Sequence, residues 1–194
     1  MLECIYQGTI WQIDKAPIFN NNHELIEEQA ISVKDKHILH ISPSYPETES
    51  LNYFDAGKIT TIDVRPSLHT DIVANVQSMP QIGSNKFNTV IAICMLNNCQ
   101  DDIAALSEIA RVLKFGGEFI CYVLPSGAEF TTTESNSTRW YGQEALDEFG
   151  VGSWRLYGSV DFLTLLKRFF SYVRVITRTD EPSGIDCNFY ICIK

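Results

Sequence analysis

Three short segments of the chain gather side chains able to hold a small polar ligand: His40-Ile-Ser42-Pro-Ser44, Asp63-Val64, and Cys94-Met95-Leu96-Asn-Asn98. Each closes an apolar run of strand length. A lone carboxylate at a strand end accepts two hydrogen bonds from vicinal hydroxyls, which is the chemistry needed to grip a ribose diol. Asp63 is the leading candidate for that task, although the same position suits a turn cap ahead of Pro66. His40, and more loosely His69, are candidate general bases. A histidine in an apolar strand also reads as a hydrogen-bonded core residue. Further along, Arg139-Trp140-Tyr141 and Trp154-Arg155-Leu156-Tyr157 offer guanidinium forks and aromatic faces that fit a small polar or anionic molecule. The same aromatics would serve equally to pack a lid on the body of the protein.

The elements that position these residues follow from the pattern of short apolar runs and intervening helical or turn segments, the mark of an α/β layer fold. His37–Ile41, Lys58–Ile62, Phe87–Leu96 and Glu118–Leu124 read as strands. Between the last two, Asp101–Lys114 sets Ile103, Leu106, Ile109, Ala110 and Leu113 on one helical stripe, with acids at its start and bases at its end. Gly116-Gly117 is the expected stop. A strand, helix and strand in this order return to one sheet by a right-handed crossover, so the strands are parallel neighbours. Asp161–Phe170 reads as an amphipathic helix. Tyr172–Ile176 and Cys187–Ile193, joined through Pro182-Ser-Gly184, read as a closing antiparallel hairpin. Residues 1–30 form a less regular N-terminal arm, residues 31–194 a single domain, and 126–158 a polar, aromatic-rich inserted lid. In an open parallel sheet the ligand crevice lies beyond the carboxyl ends of the strands, where all three polar segments fall.

Composition narrows the function. The 194 residues carry a net charge of −9, so no field over the whole surface draws in polyphosphate, and nucleic acid is not the expected partner. The N-terminus has Glu3 where a secretory leader needs positive charge, and the longest apolar run, Val90–Leu96, is far short of the roughly 18 residues a membrane helix needs. A soluble, cytoplasmic protein is expected. Cys4, Cys94, Cys99, Cys121, Cys187 and Cys192 contain no Cys-x-x-Cys pair, and several sit inside apolar runs, as small core residues do in a reducing compartment. Cys187 and Cys192 point to opposite faces of a strand, so no metal site is expected. Gly150-Val-Gly152 follows no strand, and Arg155 stands where a dinucleotide fingerprint needs a third glycine.

Glu108-Ile-Ala-Arg111-Val-Leu-Lys114-Phe-Gly-Gly117 resembles the E-x-x-R-V-L-K-x-G-G segment of the class I S-adenosylmethionine-dependent methyltransferases of the type 11 group. Asp71–Pro80 is similar to that family's A-D-x-x-x-L-P segment, and Lys86–Ile91 to its x-F-D-x-V-I strand, in family order. The resemblance spans residues 36–124. It implies a Rossmann-like, mostly parallel seven-stranded sheet with helices on both faces and a C-terminal antiparallel hairpin. It also implies S-adenosylmethionine as cofactor. By position, His40 and Ser42 would pass the methionine moiety, Asp63 with Val64 the ribose, Asn75 and Val76 the adenine edge, and Cys94, Met95 and Leu96 the methionine side. Arg139, Trp140, Arg155 and Tyr157 would read the acceptor.

Two departures stand out. His40–Pro46 contains no glycine where the family loop is glycine-rich, and Asn75 replaces the usual aspartate. Methyl transfer from a sulfonium is an in-line displacement, so alignment and exclusion of water carry most of the catalysis and no universal catalytic dyad is expected. The implied activity is methylation of a small-molecule or sugar-like acceptor by a possible homodimer. The alternative is a methyltransferase-like binding or scaffold module without turnover, which the two departures motivate.

Overall fold

A computed structural model of the chain describes residues 3–6, 9–12, 34–42, 57–67, 70–134, 136–138, 141–180 and 185–194. In the N-terminal arm, β1 (Glu3–Tyr6) and β2 (Thr9–Gln12) pair as an antiparallel ribbon. The body is one seven-stranded sheet built from β3 (His37–Ile41), β4 (Lys58–Asp63), β5 (Ile72–Val73), β6 (Phe87–Ile93), β7 (Leu113–Tyr122), β10 (Tyr172–Asp180) and β11 (Ile185–Ile193). Its order is β10-β11-β7-β6-β3-β4-β5. The five strands from β5 to β7 are parallel, and β11 and β10 add to that edge antiparallel. A smaller ribbon pairs β8 (Thr132–Thr133) with β9 (Arg155–Leu156).

Among the described residues the α-helices are α1 (Asp102–Val112), α2 (Gly142–Phe149) and α3 (Ser159–Leu166). Among them α1 and α3 bury Ala105, Leu106, Ile109, Val112, Phe162 and Leu166 in one cluster with Leu39, Ile41, Val90 and Phe119 of the sheet. Each such side chain removed from water contributes about 1.5–3 kcal/mol. The opposite face carries a second apolar cluster, Ile38, Ile91, Ile93, Ile120, Tyr122, Phe189 and Ile191. No described helix is long and apolar enough to cross a membrane.

Several element boundaries differ from expectation: the late helix stops at Leu166 rather than Phe170, β10 runs on to Asp180, and two differences lie closer to the sheet's centre. β6 stops at Ile93 rather than Leu96, because Cys94 takes a left-handed φ of 53° and Leu96–Asn98 wind into a 3₁₀ turn. The helix after it stops at Val112, not at the glycine pair. Leu113 is fully buried and already extended, and it pairs with Phe87 as the first residue of β7. Gly116-Gly117 instead makes an excursion inside β7, with Gly116 at φ 72°. A Cβ on Gly117 would lie 2.8 Å from Lys114 O and 2.9 Å from Asn88 O, too close for any other residue.

Candidate active site

Beyond the carboxyl ends of β3, β4 and β6 lies a cleft of about 580 Å³, part of it open to solvent. Ser42, Asp63, Val64, Ala74–Gln77 and Met95 form its floor and walls, and Tyr141 with Phe149–Val151, from α2 and its flanks, forms its rim. Ser42 turns the chain out of β3 at φ 52°, the left-handed conformation that a glycine adopts at no cost. The turn is held by Ser42 N–H donating to Ile62 O at 2.7 Å. The missing glycine of the sequence is therefore replaced in backbone shape by a strained serine.

Asp63 ends β4 with its side chain 11 % exposed. Oδ2 accepts from Ser42 Oγ at 2.9 Å, and Oδ1 accepts from Arg65 N–H at 2.9 Å and, weakly, from Arg65 Nε at 3.4 Å. A carboxylate offers about four lone-pair positions, so this one still has room for a hydroxyl. A second can displace the long Arg65 contact, whose guanidinium side chain is more than half exposed. Both readings of Asp63 are thus present in one residue: it caps its turn and it faces the cleft.

Next to it, Asn75 Oδ1 accepts from the main-chain N–H of Gln77 at 2.9 Å and from Gln77 Nε2 at 3.0 Å. Gln77 Oε1 in turn accepts the N–H of Asp101, the N-cap of α1, at 2.6 Å. On the other wall Asn98 Nδ2 donates to Cys94 O and to the Tyr141 hydroxyl, both at 2.8 Å. Cys99 is buried beside Met95, and burial pushes its thiol up to about 12, so it stays protonated and inert.

Of the residues expected at the site, the structure brings Ser42, Asp63, Val64, Asn75, Val76 and Met95 together. His40 is 1 % exposed and sits in register between Thr61 and Ile91, and strand alternation turns it to the face opposite Ile41, away from the cleft. Cys94 is half-buried off the cleft wall, and Leu96 is in the core under α1. Arg155 and Tyr157 are also placed elsewhere. The Tyr157 hydroxyl donates to Asp102 Oδ2 at 2.7 Å, and Arg155 Nη1 pairs with the same oxygen at 2.8 Å. Tyr157 is 3 % exposed, and burial holds its hydroxyl well above the ordinary tyrosine range. These two residues fasten the 155–157 segment to the start of α1, and neither lines the cleft. Arg139, Trp140 and His69 lie outside the described residues.

Gln77 and Phe149 were not singled out in the sequence; Asn97, Asn98 and Tyr141 entered only as members of longer polar or aromatic segments, and Gly150-Val151 only as part of a rejected dinucleotide pattern. Asn97 is 2 % exposed and clamps three segments: Oδ1 accepts from Leu124 N–H at 2.8 Å, and Nδ2 donates to Leu124 O at 3.1 Å and to Arg155 O at 2.8 Å. Its partners lie 27 and 58 residues away, so no local pattern announces them.

Comparison with known proteins agrees with this geometry. Residues 39–121 match the family model described as a methyltransferase domain. No curated protein sequence matches the chain significantly. Among solved structures, it is similar to the 1,6-didemethyltoxoflavin-N1-methyltransferase of Burkholderia thailandensis, with bound 1,6-didemethyltoxoflavin and S-adenosylhomocysteine (TM-score 0.67, 14 % identity, 93 % of this chain and 79 % of that one). It is also similar to the N-methyltransferase NodS of Bradyrhizobium japonicum in complex with S-adenosylhomocysteine (0.62, 15 %, 95 % and 91 %). The [4+2]-cyclase SpnF shares the fold as well (0.57, 14 %, 89 % and 79 %). The domain match, which begins in β3 and ends in β7, together with the 3-2-1-4-5-7-6 path of the sheet counted from β3, leads to one conclusion: residues 39–121 carry a methyltransferase domain, and the chain has the fold of the class I S-adenosylmethionine-dependent methyltransferases.

Proposed function

We propose that the cleft binds S-adenosylmethionine and methylates a small-molecule acceptor entering past Tyr141 and Phe149–Val151. The observation that carries this reading is the Asp63 carboxylate, pre-oriented by Ser42 and Arg65 with acceptor capacity left toward the cleft. Asp63 accepts the ribose hydroxyls. Val64, Ala74 and Val76 supply an apolar slot for the base, whose edge meets Asn75. Ser42 and Met95 flank the methionine end. The donor set fits a cationic sulfonium: the one cation lining the cleft among the described residues, Arg65, is paired to Asp63.

When bound, the cofactor supplies an electrophilic methyl group for in-line displacement. The protein aligns the acceptor against that group and keeps water out, which accounts for most of the rate in such a reaction. The rim residues are apolar or aromatic apart from the Tyr141–Asn98 pair, as suits a compact acceptor with few polar groups. The single compact domain, residues 31–194, with 126–158 as the acceptor-facing insertion, is part of the same reading.

Calorimetric titration with S-adenosylhomocysteine tests the cofactor assignment. Wild-type protein is expected to bind at micromolar Kd, about −8 kcal/mol. Asp63→Ala is expected to lose about a hundredfold or more. Wild-type affinity in that variant overturns the ribose assignment. Turnover of even one small acceptor separates an enzyme from an inert binding module.

A further inference from the structure

The edge of the cleft at Asn75 is wired in one orientation. A main-chain N–H can only donate, so the bond from Gln77 N–H fixes the oxygen end of the Asn75 amide toward Gln77. The Gln77 amide is fixed the same way, because its Oε1 accepts the main-chain N–H of Asp101 and leaves Nε2 for Asn75. Two backbone donors therefore orient two side-chain amides in series. Asn75 Oδ1 has two lone pairs and both are taken. What this residue offers the cleft is Nδ2, a donor with no acceptor beside it on the same side chain.

An adenine edge presents an exocyclic amine, which needs an acceptor, next to ring nitrogens that accept. A 6-oxopurine presents an acceptor oxygen where the amine was and an N1–H donor where adenine N1 accepts, so a side-chain donor that meets N1 of adenine meets the oxygen instead. A donor-only side chain can meet a ring nitrogen of the first or the oxygen of the second, and it gives the amine no partner. We infer that Asn75, locked by Gln77, makes this site permissive at the base: it takes a nucleoside thioether carrying a 6-oxopurine about as well as one carrying adenine. The inference rests on the proposed function for placing a base at Asn75.

The test is calorimetric titration of the full chain with S-adenosylhomocysteine and with S-inosylhomocysteine, its 6-oxo counterpart, in wild type and in Asn75→Asp. The carboxylate of the variant keeps the Gln77 bonds on one oxygen and turns the other, an acceptor, to the cleft. Wild type is expected to bind the two ligands within about threefold of each other. Asn75→Asp is expected to shift the ratio toward adenine by about tenfold or more, the scale of one hydrogen bond to a charged group. A wild-type preference for adenine of more than threefold overturns the inference, and so does a shift below threefold in a folded variant. If the variant does not fold, the wild-type ratio decides. Binding of neither ligand overturns the cofactor assignment itself, a result distinct from tight, adenine-selective binding.

Discussion

Two polar constellations in this molecule differ in what their hydrogen bonds are for. In the first, Glu108 and Arg111 on α1 close a forked pair at 2.6 and 2.8 Å, Glu108 Oε2 accepts the Met79 N–H at 2.6 Å, and Arg111 donates to Met79 O and Ile82 O at 2.9 and 2.7 Å. Both side chains are spent on holding the 79–82 loop to the helix. In the second, Asp63 and Asn75 are fixed from one side and keep bonding capacity on the other. The first constellation is the most recognisable part of the sequence, yet neither of its side chains lines the cleft. A recognisable motif can therefore report the scaffold, while Asp63 and Asn75, which do line the cleft, keep bonding capacity toward it.

Exchanging the effects of the two constellations is the sharpest way to break this comparison. Arg111→Ala strands Glu108 and two carbonyls, so chemical denaturation should show a loss of about 3 kcal/mol. Cofactor affinity per folded molecule should stay within about twofold. Asp63→Ala should do the opposite, costing only about 1 kcal/mol of stability through its lost turn bonds while cofactor affinity falls far more. A shared loss in both variants would show that the two regions are one unit.

A smaller effect distinguishes the charge of Glu108 from its shape. The hydrogen bonds from Arg111 hold its carboxyl below the ordinary value of 4.5. A group depressed on folding contributes stability above its unfolded value and loses it as pH falls through the folded one. Glu108→Gln should therefore cost about 1 kcal/mol at neutral pH and flatten the decline of stability below about pH 4.5. An unchanged acid limb in that variant would assign the decline to other carboxylates. Smallest of all is Ser42→Gly, in which relief of the left-handed backbone offsets loss of the Oγ bond to Asp63. Stability should move by less than about 1 kcal/mol, and a drop beyond 2 kcal/mol would show that the hydroxyl, not the turn, is what this position supplies.

The parallel pairing of β6 with β7, the Leu106–Ile109 core of the α1 stripe, the closing hairpin and the end-of-strand acid were legible, because each depends on local periodicity or on a rule linking neighbouring elements; Ile103, expected on the same stripe, is 43 % exposed, and Leu113 opens β7 instead. The rest was not, for reasons visible in particular residues. His40 follows Leu39 by one position, and a single step of strand alternation moves it to the other face. Arg155 and Tyr157 have the residue types of a ligand reader, but the partner that commits them, Asp102, lies more than fifty residues away. Gly116-Gly117 looks the same whether it ends a helix or bulges a strand. Gln77 gave no signal, since an amide that orients another amide is a property of three-dimensional contact alone.

The clamp at Asn97 also divides the molecule by how easily its parts open. Asn97 accepts the Trp154 N–H at its own carbonyl and donates to Arg155 O, while Arg155 and Tyr157 are tied to Asp102, so the run from Trp154 to Tyr157 opens only when the end of β7 and the start of α1 open with it. In contrast α2 buries none of its residues and ends at Gly150 with φ 68°. Amide protons of 154–157 thus belong to the slow-exchanging class of the central sheet, and those of 142–149 to a separate unit of low local stability. On the proposed function, an acceptor that entered over α2 would pass through this low-stability unit and leave the strand ends at Ser42 and Asp63 undisturbed.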